Sequence, residues 1–168
     1  MSNSSSQLDQ DIVRLLHDDA RLTPEDIGGM LGVASKTVAT HIAKLEHEGV
    51  ILKYTTVTND PKGDKGTKIR ALIELSIRPE KKTGYDAIAR RICKHPNVVD
   101  HFLISGDYDF LVIVEGDSLQ EISSFVSDKL ASIENVRSTA THFILKKYKE
   151  YGVVFESELP PQRLAVSP

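Results

Sequence analysis

One cysteine, Cys93, is all that 168 residues contain, which excludes an intrachain disulfide and a zinc site of the paired-cysteine kind. Nowhere do about 18 apolar residues run consecutively, as a membrane-crossing helix requires. The opening MSNSSSQLDQD lacks the basic stretch and apolar core of a secretory leader. Basic charge is scarce in the first part of the chain. Through Asp60 there are 5 basic and 9 acidic residues, net −4; beyond it there are 16 and 15, net +1. An acidic background suits phosphate contacts poorly. These lacks predict a cytoplasmic chain with no membrane partner and no cofactor, long enough for two small domains. Polar Met1 to Ser6 is expected to fray, and the proline-punctuated ELPPQRLAVSP reads as a tail.

What is present begins with Leu8, Ile12, Leu15 and Leu16 at helical spacing, a first helix up to about His17. In LTPEDI, Thr23 caps a second helix, Pro24 fits its first position, and Glu25 and Asp26 suit the positive end of its dipole. Leu22 and Ile27 are placed as a hydrophobic staple, and Gly32 ends the helix. Ser35 is expected to cap a third helix with Val38, Ile42 and Leu45 inward, ended by Gly49. Two short helices joined by a glycine-containing turn are the pattern of a helix-turn-helix. The following VILKY, residues 50–54, is expected as a short strand or wing. A three-helix packing unit that touches no DNA has the same periodicity.

The acidic residues Asp9, Asp11, Asp18, Asp19, Glu25 and Asp26 fall on the first two helices, and are expected to lie away from the leading face of the third. That face carries Lys36, Thr37, Thr40, His41 and Lys44. Lys36 and Lys44, with the helix starts at Thr23 and Ser35, are candidates for phosphate contacts; Thr37, Thr40 and His41 are candidates for base edges. So few positive groups imply modest affinity per copy, and hence more than one copy on double-stranded DNA.

NDPKGDKGT, residues 59–67, is a turn-rich linker. Alternation from Ile69 to Ile77 then predicts a strand; Tyr85, Ile88, Ala89 and Ile92 a helix; Val98 to Ile104 and Tyr108 to Glu115 two strands. Ser118 and Glu121 are spaced as a capping box for a helix with Leu119, Ile122, Phe125, Val126 and Leu130 on one side, and Val136 to Leu145 alternates again. Strand, helix, strand, strand, helix, strand is the ferredoxin-like split unit, with two helices on one sheet face. The other face is expected to be covered by a second copy, giving a homodimer through the sheets. Cys93 is expected as a small core residue. The fold class is therefore α+β: an N-terminal winged helix-turn-helix over 1–54, a linker strand and loop over 55–67, a ferredoxin-like domain over 68–150 and a tail over 151–168.

SGDYDFLVIVEGD, residues 105–117, sets Asp107 and Asp109 around Tyr108 ahead of an apolar run. A catalytic pair needs a partner acid or nucleophile in a cleft, and no motif supplies one. A metal site would recruit His95, Asp100 or His101, none at ligand spacing on one element. A hairpin turn is the plainest reading. It leaves room for a ligand pocket, because a turn at a sheet end presents amides and carboxylates together, as a free amino acid requires.

Several stretches together resemble the Lrp/AsnC, or feast/famine, family of transcription regulators. They are Leu8-Asp9-x-Asp11-x-x-x-Leu15-Leu16, Ala20-Arg21, Leu45-Glu46-x-x-Gly49-Val50-Ile51, and Gly106-Asp107-Tyr108-Asp109 with the strand from Thr139 to Lys147. The match runs from Leu8 to about Phe155. The resemblance implies a DNA-reading domain and an amino-acid-sensing domain, assembled as dimers and often octamers. It nominates Gly106, Asp107, Tyr108, Asp109, Thr139 and Thr141 as an effector site between dimers. Thr40 and His41 stand where the family often has arginine, and the stretch after Gly152 exceeds the minimal pattern. The rival functions are an amino-acid sensor acting through protein contacts without DNA, and an enzyme on the ferredoxin-like sheet.

Overall fold

A computed structural model of the chain describes residues 2–59, 68–78 and 84–155. It divides into one unit through Thr58 and another from Asn59. The first unit is three helices, α1 (Ser2–Asp18), α2 (Pro24–Leu31) and α3 (Ser35–His47). Ile12, Leu16, Ile27, Val38 and Leu45 form its buried core. The helix α1 reaches back to Ser2, through residues up to Ser6 that were expected to fray; once a helix is nucleated, each added residue costs little.

The α2 start is built as the sequence suggests. Thr23 Oγ1 accepts the Asp26 amide at 3.2 Å, and Asp26 Oδ2 accepts the Thr23 amide at 2.9 Å, a closed capping box. Gly32, at φ 68°, ends the helix in the left-handed region. Gly28 lets α2 approach the next helix: a Cβ there would sit 2.7 Å from the Val33 carbonyl oxygen. The α3 cap differs from expectation. Ala34 is the N-cap, and the amides of Thr37 and Val38 both bond to its carbonyl. Ser35 is already inside the helix, one residue too late to cap it.

After α3, Gly49 at φ 70° turns the chain, and the amides of Val50 and Ile51 both donate to the Leu45 carbonyl. Residues 50–54 form no strand: Ile51 packs on the core, Leu52 is 87 % exposed, and the Tyr54 hydroxyl donates to Glu46 at 2.8 Å. A ladder needs a second strand, and the described residues of this unit contain none. Of the linker, 60–67 lie outside the described residues.

The second unit runs β1 (Ile69–Ile77), α4 (Asp86–Ile92), β2 (Val98–Leu103), β3 (Phe110–Gly116), α5 (Leu119–Phe125) continuing into a π-helical turn (Val126–Leu130), and β4 (Val136–Phe143). The strands make one antiparallel sheet in the order β2-β3-β1-β4, the split ferredoxin-like arrangement. Ala71, Ile73, Leu75 and Ile77 of β1 and Phe110, Val112 and Val114 of β3 pack against Ile88 and Ile92 of α4 and Ile122, Phe125, Val126 and Leu130 of the last helix. Leu119 leaves the expected stripe, 47 % exposed. The capping box expected there is half formed: Ser118 Oγ accepts the Glu121 amide, but the Glu121 carboxylate turns to the Asp117 amide and Asn97. Cys93 is exposed, a correction to its expected burial: it follows Ile92, which takes the inward position.

Opposite residues of an antiparallel pair point to one side. The register therefore puts Arg70, Leu72 and Glu74 with Glu115, Ile113 and Leu111 on the face away from the helices. Past β4, a hairpin of β5 (Lys149–Glu150) and β6 (Val153–Val154) turns at Tyr151 and Gly152, both with positive φ. Arg70 holds Glu115 and Glu150 together, anchoring that hairpin to β1. Half of this hairpin lies in the stretch expected as tail; the proline-rich end, 156–168, lies outside the described residues.

Candidate functional site

The inward side of α3 is sealed by Val38 and Leu45, so its outward face is fixed. Lys36, Thr37 and Thr40 are exposed and Ser35 is half-buried. Thr40 Oγ1 donates to the Lys36 carbonyl at 2.9 Å, which leaves its lone pairs outward as acceptors. Lys36 and Thr37 spend no side-chain hydrogen bond on other described residues. Thr23 is committed differently: its hydroxyl accepts the Asp26 amide and donates to Asp26 Oδ2 at 2.7 Å.

The other two nominated residues of α3 share a partner. Asp9 Oδ1 lies 2.6 Å from His41 Nδ1, and Asp9 Oδ2 lies 3.0 Å from Lys44 Nζ. The Asp9 and His41 side chains are 16 % and 18 % exposed, Lys44 45 %. The bond from His41 holds the Asp9 carboxyl below its ordinary pKa, reinforced by Lys44, while Asp9 raises that of Lys44. The expectation that the acids of the first two helices lie away from the leading face of α3 therefore fails at Asp9. The crossing of α1 over α3 brings together residues 32 and 35 positions apart.

In the second unit, residues 105–109 join β2 to β3. Gly106 and Asp107 are exposed; Tyr108 and Asp109 are half-buried. Asp109 is tied down on every side. Its Oδ2 accepts the Ile77 amide at 2.6 Å, its Oδ1 accepts the Tyr85 hydroxyl at 2.7 Å, and its own amide donates to the Leu75 carbonyl. The Ile77 amide and then the Tyr85 hydroxyl hold its carboxyl below the ordinary range, with Arg137 adding a favourable charge. The same bond to Asp109 pushes the Tyr85 phenol up. Of the two aspartates, Asp107 is the one whose carboxylate has no protein partner among the described residues.

Thr139 and Thr141 stand opposite Leu75 and Ile73 on the edge strand β4. Leu75 separates Thr139 from Phe110, so Thr139 and the 105–109 turn share one end of the sheet, two strand spacings or about 10 Å apart. Thr141 lies two residues further along β4. Arg137 was not nominated. The register shift that pairs Ile77 with Val136 and Ser76 with Ser138 leaves Arg137 as the extra residue of a bulge, a device that redirects a side chain. The alternation from Val136 onward gives no sign of it; only the register does. Among the described residues no group of three or more His, Cys, Asp or Glu side chains is placed to hold a metal ion. His95 stacks on Phe125 and His101 on Phe110 instead of converging.

Residues 5–51 match the model for winged helix-turn-helix DNA-binding segments, and residues 70–154 match that of the Lrp/AsnC ligand binding domain. The HTH-type transcriptional regulator YugG of Bacillus subtilis is 38 % identical over 97 % of this chain and 98 % of its own. The chain belongs to the Lrp/AsnC family. The HTH-type transcriptional regulator FL11 of Pyrococcus furiosus is 32 % identical, covering 85 % of this chain and 91 % of that one. Among solved structures, the transcriptional regulator NMB0573 of Neisseria meningitidis, in complex with L-Met, superposes with a TM-score of 0.67 at 25 % identity, over 85 % of this chain and 91 % of that one. This Lrp/AsnC chain is thus a transcription regulator with a DNA-binding segment and a ligand-binding domain, in a family of regulators and not of enzymes. Among the described residues no helix is long and apolar enough to cross a membrane.

Proposed function

We propose that the protein is a sequence-specific, double-stranded-DNA-binding regulator, acting in the cytoplasm, whose assembly and DNA binding respond to an amino-acid effector. The observation that carries the DNA reading is the outward face of α3, where Lys36, Thr37 and Thr40 are exposed while Val38 and Leu45 seal the opposite side. Lys36 and the helix starts at Thr23 and Ser35 serve phosphates; Thr37 and Thr40 serve base edges.

The effector reading rests on the 105–109 turn. Asp107 offers a free carboxylate to an ammonium group, with Gly106 and Tyr108 beside it. Thr139 and Thr141 offer hydroxyls from the sheet edge, and Arg137 offers a guanidinium for a carboxylate. Asp109 holds the turn in place instead of meeting the ligand. The NMB0573 complex with L-Met supports an amino acid as the class of effector.

The sheet face away from the helices carries Leu72, Leu111 and Ile113, with exposed Phe102 opposite Leu111 on β2. Such a face suits the homodimer, and further contact between dimers suits an octamer with the effector at the contact. An effector that favours one assembly thereby changes the spacing of the α3 helices along DNA. A gel-shift assay against the chain's own upstream region, with and without a panel of amino acids, tests this. Retardation that changes with one amino acid is expected. Amino-acid binding without any retardation would replace the reading with that of a sensor acting through protein contacts.

A further inference from the structure

We propose that Asp9 is the positioning residue that decides what α3 offers to DNA: it withholds Lys44 from the phosphates and fixes His41 as a hydrogen-bond acceptor. The inference rests on the reading of α3 as the DNA-contacting helix.

A single carboxylate on α1 engages two basic side chains in the second half of α3, His41 and Lys44, one with each oxygen, at 2.6 and 3.0 Å. That is the contact a backbone phosphate would make. Lys44 has a second anion nearby in Glu48, at 4.0 Å. A phosphate approaching Lys44 therefore exchanges one anionic partner for another and releases little binding free energy, whereas Lys36 has no anionic partner among the described residues to give up. The number of phosphates neutralised by α3 is set by Lys36.

His41 follows from the same geometry. At 2.6 Å a hydrogen lies between Asp9 Oδ1 and His41 Nδ1, and because its two partners favour the ionised Asp9 carboxyl, that hydrogen belongs to Nδ1. In the neutral ring Nε2 is then the acceptor. In the major groove an acceptor suits the amino groups of adenine N6 or cytosine N4; guanine presents acceptors at O6 and N7. An arginine in place of His41 would seek the opposite partner. Asp9 thus makes this position one that favours an amino-bearing base, where an arginine would favour guanine.

The test measures binding of the full-length protein to a duplex from its own upstream region across a series of salt concentrations. The variants are Lys44→Gln, Asp9→Ala and the double variant. Lys44→Gln alone is expected to leave the slope of log K against log salt unchanged. Asp9→Ala should steepen it by about 0.9, the value of one added phosphate contact, and the double variant should return it to the starting slope. A Lys44→Gln protein whose slope flattens by about 0.9 overturns the proposal, because Lys44 would already be meeting a phosphate. This arm leaves Asp9 in place and so does not depend on how Asp9→Ala folds.

Nitrogen-15 shifts of the His41 ring supply a readout without DNA. A protonated Nδ1 and a pyridine-like Nε2 are expected, and the reverse tautomer overturns the assignment. If the unaltered protein retards no duplex, the DNA reading fails while the tautomer result still stands.

Discussion

The Tyr85 hydroxyl donates to Asp109 at 2.7 Å, and the other oxygen of that carboxylate receives the Ile77 amide at 2.6 Å. One side chain thereby joins the 105–109 turn to the end of β1 and the residue that precedes α4. Because these bonds favour the ionised form, the Asp109 pKa lies below its ordinary 3.8 in the folded chain. The unfolded chain binds the proton first as pH falls. The stabilisation is therefore complete above 3.8 and is lost as pH drops through the lower folded value. Denaturant midpoints against pH should show a steeper acid decline for the unaltered protein than for Asp109→Asn, which loses stability at neutral pH instead.

His101 predicts a separate window. Burial lowers its pKa from the ordinary 6.5, its ring stacks edge-on to Phe110 at 4.6 Å, and its buried Nε2 has no hydrogen-bond partner among the described residues. Below 6.5 the unfolded chain takes up a proton that the folded chain refuses, so stability falls as pH falls from there. His101→Leu removes the unsatisfied nitrogen. Comparison of urea midpoints at about pH 7.5 and about pH 5.5 should show a drop in the unaltered protein and a smaller one in the variant.

Gly28→Ala places a methyl group 2.7 Å from the Val33 carbonyl oxygen, against backbone that cannot swing aside. A cost of about 1–3 kcal/mol is expected from such overpacking. Because the displaced backbone leads into α3, the loss should appear in calorimetric unfolding of the N-terminal unit and in weaker duplex retention. Unchanged unfolding would refute the close approach.

Lys36→Ala is expected to weaken binding to specific and random duplexes by the same factor and to lower the salt slope by about 0.9. Thr37→Ala and Thr40→Val should instead change the ranking of duplexes with little effect on the slope. Competition gel shifts at several salt concentrations separate the two behaviours.

Asp107→Ala should abolish amino-acid binding by calorimetry without altering the unfolding midpoint, since its side chain is exposed and bonds to no other described residue. Asp109→Asn should weaken binding only along with stability. Arg137→Ala should weaken binding of an amino acid more than that of the corresponding amine, if the guanidinium meets the carboxylate.

Local chemistry was readable wherever the residues that decide it are close in sequence. Thr23 as the α2 cap, Pro24 after it, Gly32 at the helix end and the Ile69–Ile77 alternation all act within one turn or one strand. Features decided by distant partners were not. The crossing of two helices brings Asp9 to His41, and strand register makes Arg137 a bulge residue. Asp109 looked equivalent to Asp107 until the Ile77 amide and Tyr85 hydroxyl were placed beside it. The short β5–β6 hairpin escaped notice because two-residue strands carry no periodicity.

The wide turn from Val126 to Leu130 has a bearing on how this helix tolerates change. On a regular α-helix each step of four residues drifts sideways by roughly 40°, so Ile122, Val126 and Leu130 would fan out around the axis. The looser i→i+5 winding counters that drift and keeps all three side chains under the sheet, all at most 7 % exposed. Ordinary winding over the same residues would turn Leu130 away from the line of Ile122 and Val126, while a conservative exchange at exposed Asp128 leaves the phase intact. Phase here is held by packing, and identity at the surface is not.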